Sequence, residues 1–307
     1  MEAKNAGSLI SEELFNCLSQ NYAIHLPNHL RTLVFDKSLL LRTLKTSDQV
    51  TGIRFTYGLS DIKNIYSTKV LLVPCTSNVY YDQIPLVLNQ HYLDHEGNQY
   101  SIERVAEMIY NFVIHSVEKE NFSSYERINR GSFFGAHSLD LLLTESNCKY
   151  IQFNFGMDNK KILHPILNPL DCSYRTNSRL YLENSWPPRD SDPDEICLAK
   201  FAVDKFSNEN ELNRFRNFRD QELLTVKDGG MLYELYYFIS PYIVNVLKEQ
   251  SDGLEHLQNI YDKNIMPLYE EIMKGNLLKA VDHLKRAFKS LIDEYSVDQI
   301  ESSAATT

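Results

Sequence analysis

Apolar and polar positions alternate along Gly52-Ile-Arg-Phe-Thr-Tyr-Gly58, placing Ile53, Phe55 and Tyr57 on one side. A period of two is the pattern of a half-buried β-strand. The alternation returns at Tyr150-Ile-Gln-Phe-Asn-Phe-Gly156, with Ile151, Phe153 and Phe155 in the corresponding places. Gly58 and Gly156 close the two patterns and read as turns needing positive φ. Each strand pattern follows a short helical pattern opened by a serine, Ser38 to Leu44 and Ser138 to Leu143. Each precedes a second apolar run ending in proline, Val70 to Pro74 and Pro165 to Pro169. The serines lie 100 residues apart, and Ile53 and Ile151 lie 98 apart.

Longer helical patterns precede both copies. Ser11 caps one with Leu14, Phe15 and Leu18 on a single face, broken by Pro27. Ser101 caps the other, where Ile102, Val105, Met108, Ile109, Phe112, Val113 and Val117 recur at helical spacing. The chain therefore predicts an α+β fold of internally duplicated helix–helix–strand–strand units, residues 1–99 and 100–175, in one continuous sheet. Residues 176–194 contain Trp186-Pro-Pro and several aspartates, and read as a linker.

Residues 195–307 are helical in pattern and predict an all-helical bundle. Leu212, Phe215, Phe218, Leu223 and Leu224 suggest one helix stopped near Asp228-Gly-Gly. Others follow at 231–248, at 253–273 around Pro267, and at 276–295. Met231 to Leu247 is apolar on nearly every side, the mark of a central helix, with Pro241 kinking it or ending its first half. Tyr233, Tyr236 and Tyr237 cannot all face one core, so at least one is expected at a surface that suits a protein interface.

Gly131-Ser-Phe-Phe-Gly135, the leucine-rich short helix, Cys148 and Ile151-Gln-Phe-Asn-Phe-Gly156 resemble a family of small uncharacterised bacterial proteins. Gly52-Ile-Arg-Phe-Thr-Tyr-Gly58 resembles the same family strand, so both copies, about residues 36–172, look like members. The resemblance implies a fold and carries no activity. Residues 197–248, with Phe218-Arg-Asp-Gln-Glu-Leu223 and Gly230-Met-Leu-Tyr-Glu-Leu-Tyr-Tyr-Phe-Ile-Ser-Pro241, resemble a helical tail that follows a Cys-Phe-Ile box in assorted bacterial proteins. Here the box reads Cys197-Leu-Ala, keeping only the cysteine.

With 31 Lys plus Arg against 41 Asp plus Glu, the net charge is −10, which disfavours nucleic acid as a partner. The five cysteines are odd in number and widely spaced, and Met-Glu-Ala-Lys at the start has no apolar signal core. Both features lead us to expect a cytoplasmic protein with reduced thiols. Met231 to Leu247 holds one charge in 17 residues. It would nevertheless carry three tyrosines, Ser240, Pro241 and Asn245 into lipid, so no membrane span is expected.

Candidate chemistry is thin. His91 and His95 stand at a spacing that one helical turn would turn into a zinc-ligand pair, as do His25 and His29 across Pro27. Cys75 and Cys172 end equivalent strands, with His164 near the second, which allows a nucleophilic pair but reads more simply as buried structure. Arg130, Gly131, Ser132 and Gly135 precede a helix and can be read as an anion-binding loop. Arg214, Arg216 and Arg219 are surrounded by acids and read as a salt-bridged helix face. No Walker lysine or dinucleotide glycine motif is present, and no cofactor is expected. The expectation is a non-catalytic interaction or scaffold protein with a protein partner or self-association. The alternative is an enzyme or small-ligand binder, its site in a cleft between the repeats where Arg54, Thr56, Gln152 and Asn154 would converge.

Overall fold

The computed structural model describes residues 3–75, 91–120, 130–176, 179–183 and 197–295. Of the expected linker 176–194, residues 177–178 and 184–194 lie outside the described residues, and the reading is corrected for Tyr181–Glu183, which is a sheet strand. The fold is mixed α and β and divides into two compact units. Described residues up to 101 and from 108 to 183 build the first, and residues 102–107 and 197–295 the second.

In the first unit the chain runs β1 (Ser8–Ile10), α1 (Glu12–His25), β2 (Thr32–Asp36), α2 (Lys37–Leu44), β3 (Gly52–Leu59), β4 (Thr68–Cys75), β5 (Tyr92–Leu93) and β6 (Gln99–Tyr100). It continues through α3 (Ile102–Glu120), β7 (Gly131–Gly135), α4 (Ala136–Leu143), β8 (Tyr150–Met157), β9 (Leu163–Leu170) and β10 (Tyr181–Glu183). The strands form two antiparallel sheets, ordered β1-β10-β9-β8-β2 and β6-β5-β4-β3-β7. The single sheet expected from the repeat is thus corrected to two. The reason lies in pairing. β2 pairs with β8 rather than with its own neighbour β3, and β7 pairs with β3 rather than with β8.

The alternating residues fill the space between the sheets. Phe55 lies 5.7 Å from Phe153, ring centre to ring centre, and Tyr57 lies 5.9 Å from Phe153 and 5.2 Å from Phe155. Phe35 meets Phe55 edge-on at 5.7 Å, and Phe134 meets it edge-on at 5.6 Å. Such aromatic pairs add about 0.5–1.5 kcal/mol each beyond their buried area. The alternation is therefore the core itself, and both strands present it to the same place.

Register repeats with the motif. Ile53 stands opposite Pro74 and Ile151 opposite Pro169, while Phe55 faces Leu72 and Phe153 faces Leu167. Proline cannot donate to a ladder, so it needs an unpaired side within a sheet. The outer neighbours are short enough to leave one: β5 meets β4 at Leu72 alone, and β10 meets β9 only at Leu167 and Ile166.

Gly58 and Gly156 are not turns. Both sit inside strands, and neither has positive φ. A Cβ on Gly58 would come 2.7 Å from Met108 Cβ on α3, and one on Gly156 would come 3.0 Å from Leu18 Cβ on α1. Each glycine lets a helix lie directly on a strand, α3 on β3 and α1 on β8.

The second unit holds α5 (Leu198–Phe206), α6 (Glu209–Asn217), α7 (Gly229–Glu249), α8 (Gly253–Ile260), α9 (Met266–Met273) and α10 (Leu277–Glu294). The single helix expected over 212–224 is three pieces, because a π-helical turn at Phe218–Glu222 and a 3-10 turn at Leu223–Thr225 follow α6. Pro241 neither ends nor divides α7, which is assigned as one helix across it. Pro267 falls in the first turn of α9, where its missing N–H costs nothing, after a second π-helical turn at Tyr261–Ile265. Among the described residues no helix is long and apolar enough to cross a membrane.

Candidate functional site

α10 has one apolar stripe: Ala280, Val281, Leu284, Ala287, Phe288, Leu291 and Ile292 are all buried. The opposite face carries charge. Lys279, His283 and Arg286 recur at i, i+4 and i+7, so they line up along the helix, with Asp282 beside them. Together with Lys285 and with Glu271 of α9 they line an open groove of about 620 Å³.

Two of the charges around the rim, Lys285 and Glu271, are bonded to neighbours. Lys285 Nζ lies 2.9 Å from Asp228 Oδ2. Glu271 Oε1 accepts from Lys274 Nζ at 3.0 Å, and its Oε2 accepts from Asn276 Nδ2 at 2.9 Å. These two bonds hold its carboxyl below the usual range. Lys279, Asp282, Arg286 and Lys289 have no ion-pair or hydrogen-bond partner among the described residues. Leu278, next to Lys279 in the chain, and Met273, the last residue of α9, are 74% and 59% exposed. The groove is lined by cations and two carboxylates, Glu271 and Asp282.

The residues singled out in the sequence lie elsewhere and mostly serve structure. Arg130 to Gly135 is not an anion loop. Gly131–Gly135 is β7, and its amides belong to a sheet: residues Gly131 to Gly135 stand opposite Thr56 to Gly52. At the start of α4, Gly135 N–H donates to Ala6 O (2.9 Å) and Ala136 N–H to Thr51 O (2.8 Å), which removes the donors an anion would use. Arg130 and Ser132 are buried there.

His91 and His95 flank the short strand β5 instead of sharing a helical turn, so their spacing does not bring two imidazoles together. His95 packs edge-on to Phe35 at 6.4 Å. No metal-binding group of three or more His, Cys, Asp or Glu occurs among the described residues. Asp94 organises this hairpin. Its carboxylate accepts from the backbone of Glu96 and Asn98 at 3.0 Å, from Tyr100 OH at 3.1 Å and from Lys69 Nζ at 3.2 Å. Burial works against its ionised form, but these bonds hold the pKa below the ordinary value.

Tyr233 and Tyr236 are only 5% exposed, and Tyr237, half-buried, is the one of the three that keeps a partly exposed face. Tyr236 OH lies 2.7 Å from Cys197 Sγ and accepts from Ala199 N–H at 3.3 Å. The Arg219 guanidinium lies over Tyr237 at 5.1 Å and Tyr236 at 5.8 Å, while Asp220 holds its Nη2 at 2.8 Å. These tyrosines tie α5 and the π-helical turn to α7. Arg214 bonds Glu222 through both terminal nitrogens, in keeping with a salt-bridged face.

Cys75 is fully buried, and burial pushes its thiol up to about 12, which removes it as a nucleophile. His164 lies between Glu183 Oε1 (2.9 Å from Nδ1) and Asp158 Oδ2 (3.6 Å from Nε2). Asn154 donates to Asn168 Oδ1 at 2.7 Å, and Thr56 is buried, while Arg54 and Gln152 are half-buried.

The α10 groove was missed because an alternating-charge helix face reads as ordinary solvated surface. The available signal was the i, i+4, i+7 run of Lys279, His283 and Arg286 in an acidic chain. No protein-family model, curated protein or solved structure matches the chain.

Proposed function

We propose that this is a cytoplasmic, non-catalytic interaction protein that holds a protein partner on the outer face of α10. The observation that carries the reading is a set of cations, Lys279, Arg286 and Lys289, that among the described residues are held in no ion pair or hydrogen bond, gathered on one helix of a chain with net charge −10; only Lys279 acts on a neighbour, through its charge on Glu271. Surface charge left unpaired in this way favours encounter with a complementary partner. Two of the groups that chemistry could use are engaged in structure, the buried thiol of Cys75 and the hydrogen-bonded carboxylate of Asp94.

In the same proposal the first unit is a duplicated scaffold. Its support is the matched register of Ile53 with Pro74 and Ile151 with Pro169, and the like placement of a helix over Gly58 and over Gly156. The likeness of both copies to the small bacterial family, and of residues 197–248 to a recurring helical tail, belongs to this reading. A ligand site between the repeated strands has less support, because Phe55, Tyr57, Phe153 and Phe155 occupy that space.

Affinity capture from the native host tests the reading. The chain is expected to retain a stoichiometric protein that the Lys279→Glu/Arg286→Glu variant loses. Equal retention by both would overturn α10 as the docking face.

A further inference from the structure

Resting on that interaction reading, we infer that the α10 groove receives an acidic peptide segment of the partner, with carboxylates flanking an apolar residue. Lys279 and Arg286 lie seven steps apart along the helix with His283 between them, about 10.5 Å at 1.5 Å per residue. A peptide that brings successive carboxylates along this line meets Lys279 and then Arg286, neither of which breaks an ion pair or hydrogen bond with a described residue to bind, Lys279 being drawn to Glu271 only through its charge. That avoids the cost of breaking an existing ion pair, which a ligand at Lys285 would have to meet because Asp228 already holds it.

The remaining groove residues select among anions. Asp282 stands among the cations without a partner, and Glu271 lines the same space. A continuous phosphate backbone, or a sheet of anionic headgroups, would press charge against both carboxylates. A peptide can leave those positions neutral or place a cation there, so like-charge repulsion acts as a filter in its favour. Leu278 precedes Lys279 directly and is 74% exposed, and Met273 ends α9 at 59% exposed. Exposed apolar side chains so close in the chain to Lys279 and Glu271 suit a peptide that carries an apolar anchor between its acids.

Fluorescence anisotropy of the full chain with three labelled probes tests the inference. They are a peptide of Glu-Glu-Leu repeats, an oligodeoxythymidine, and phosphatidylserine vesicles. The peptide is expected to bind most tightly, to weaken at least tenfold in Lys279→Glu/Arg286→Glu, and to weaken several-fold in Leu278→Ser. Far-UV circular dichroism of the variants checks that α10 is intact. Rescue by Lys279→Arg separates charge from packing. Tighter binding of the oligonucleotide or the vesicles, or an undiminished affinity in the charge-reversed variant, would overturn the peptide assignment. If the wild type captures its host partner through α10 yet ignores the Glu-Glu-Leu peptide, this inference falls while the interaction reading stands.

Discussion

At the scale of single residues, glycine and histidine carry the sharpest expectations. Gly58→Ala would push a methyl to 2.7 Å from Met108 Cβ inside a packed layer. Overpacking of this kind costs roughly 1–3 kcal/mol, and chemical denaturation should show it. Thiol reactivity offers a second check. Cys17 and Cys172 are exposed while Cys75, Cys148 and Cys197 are buried. A thiol reagent should therefore titrate two groups in the native protein and the rest only after unfolding. His164 gives a pH effect of fixed sign. Burial alone would lower its pKa, but the bond to Glu183 and the charges of Glu183 and Asp158 raise it above the ordinary value. A raised folded-state pKa means that the stabilisation is complete below about 6.5, the unfolded value, and is lost as pH rises through the folded one. Thermal unfolding across that window should show the decline, and His164→Gln should flatten it.

At the scale of elements, much of the fold was legible in the sequence. The alternation at 52–57 and 150–156 gave true strands, and the residues it placed on one face are the aromatic core. Ser11 caps α1 as read, accepting from Leu14 N–H at 3.2 Å. What periodicity cannot contain is the identity of a strand's neighbour. Gly131-Ser-Phe-Phe-Gly135 has the glycines of a phosphate loop, yet the glycines are there because a Cβ would strike Phe55 O at 2.3 Å or Ala3 O at 2.4 Å. That steric reason comes from chain distant in sequence, so a local reading chose the wrong purpose. The π-helical turn after α6 was equally invisible, since its residues keep a helical apolar pattern. The strand pairing makes a firm prediction about fragments. Residues 1–99 contain β2 and β3 but neither β8 nor β7, the strands that pair with them. Alone, this fragment should be unfolded or self-associated by circular dichroism and sedimentation. A folded monomer would contradict the pairing.

At the scale of the whole molecule, charge is unevenly distributed. The chain is acidic overall, whereas α10 presents Lys279, Lys285, Arg286 and Lys289 with one intervening aspartate, Asp282. Binding through such a face should weaken steeply with salt, because exposed pairs are screened beyond about 10 Å at 0.1 M ionic strength. The host partner captured by the wild type should accordingly elute early in a salt gradient. Substituting these cations should leave stability within about 0.5 kcal/mol, as for surface changes away from packed or buried groups.

The pairing of β2 with β8 also has a consequence in time. β2 ends at Asp36, and β8 does not begin until Tyr150, more than a hundred residues later in synthesis. At about 5–20 residues per second, a ribosome takes on the order of ten seconds to cover that distance. Throughout that interval Leu33, Val34 and Phe35 have no strand to join, and Phe55 and Tyr57 lack Phe153 and Phe155. The nascent first half must wait for the second, with its stickiest surfaces open to chaperones and to neighbouring chains.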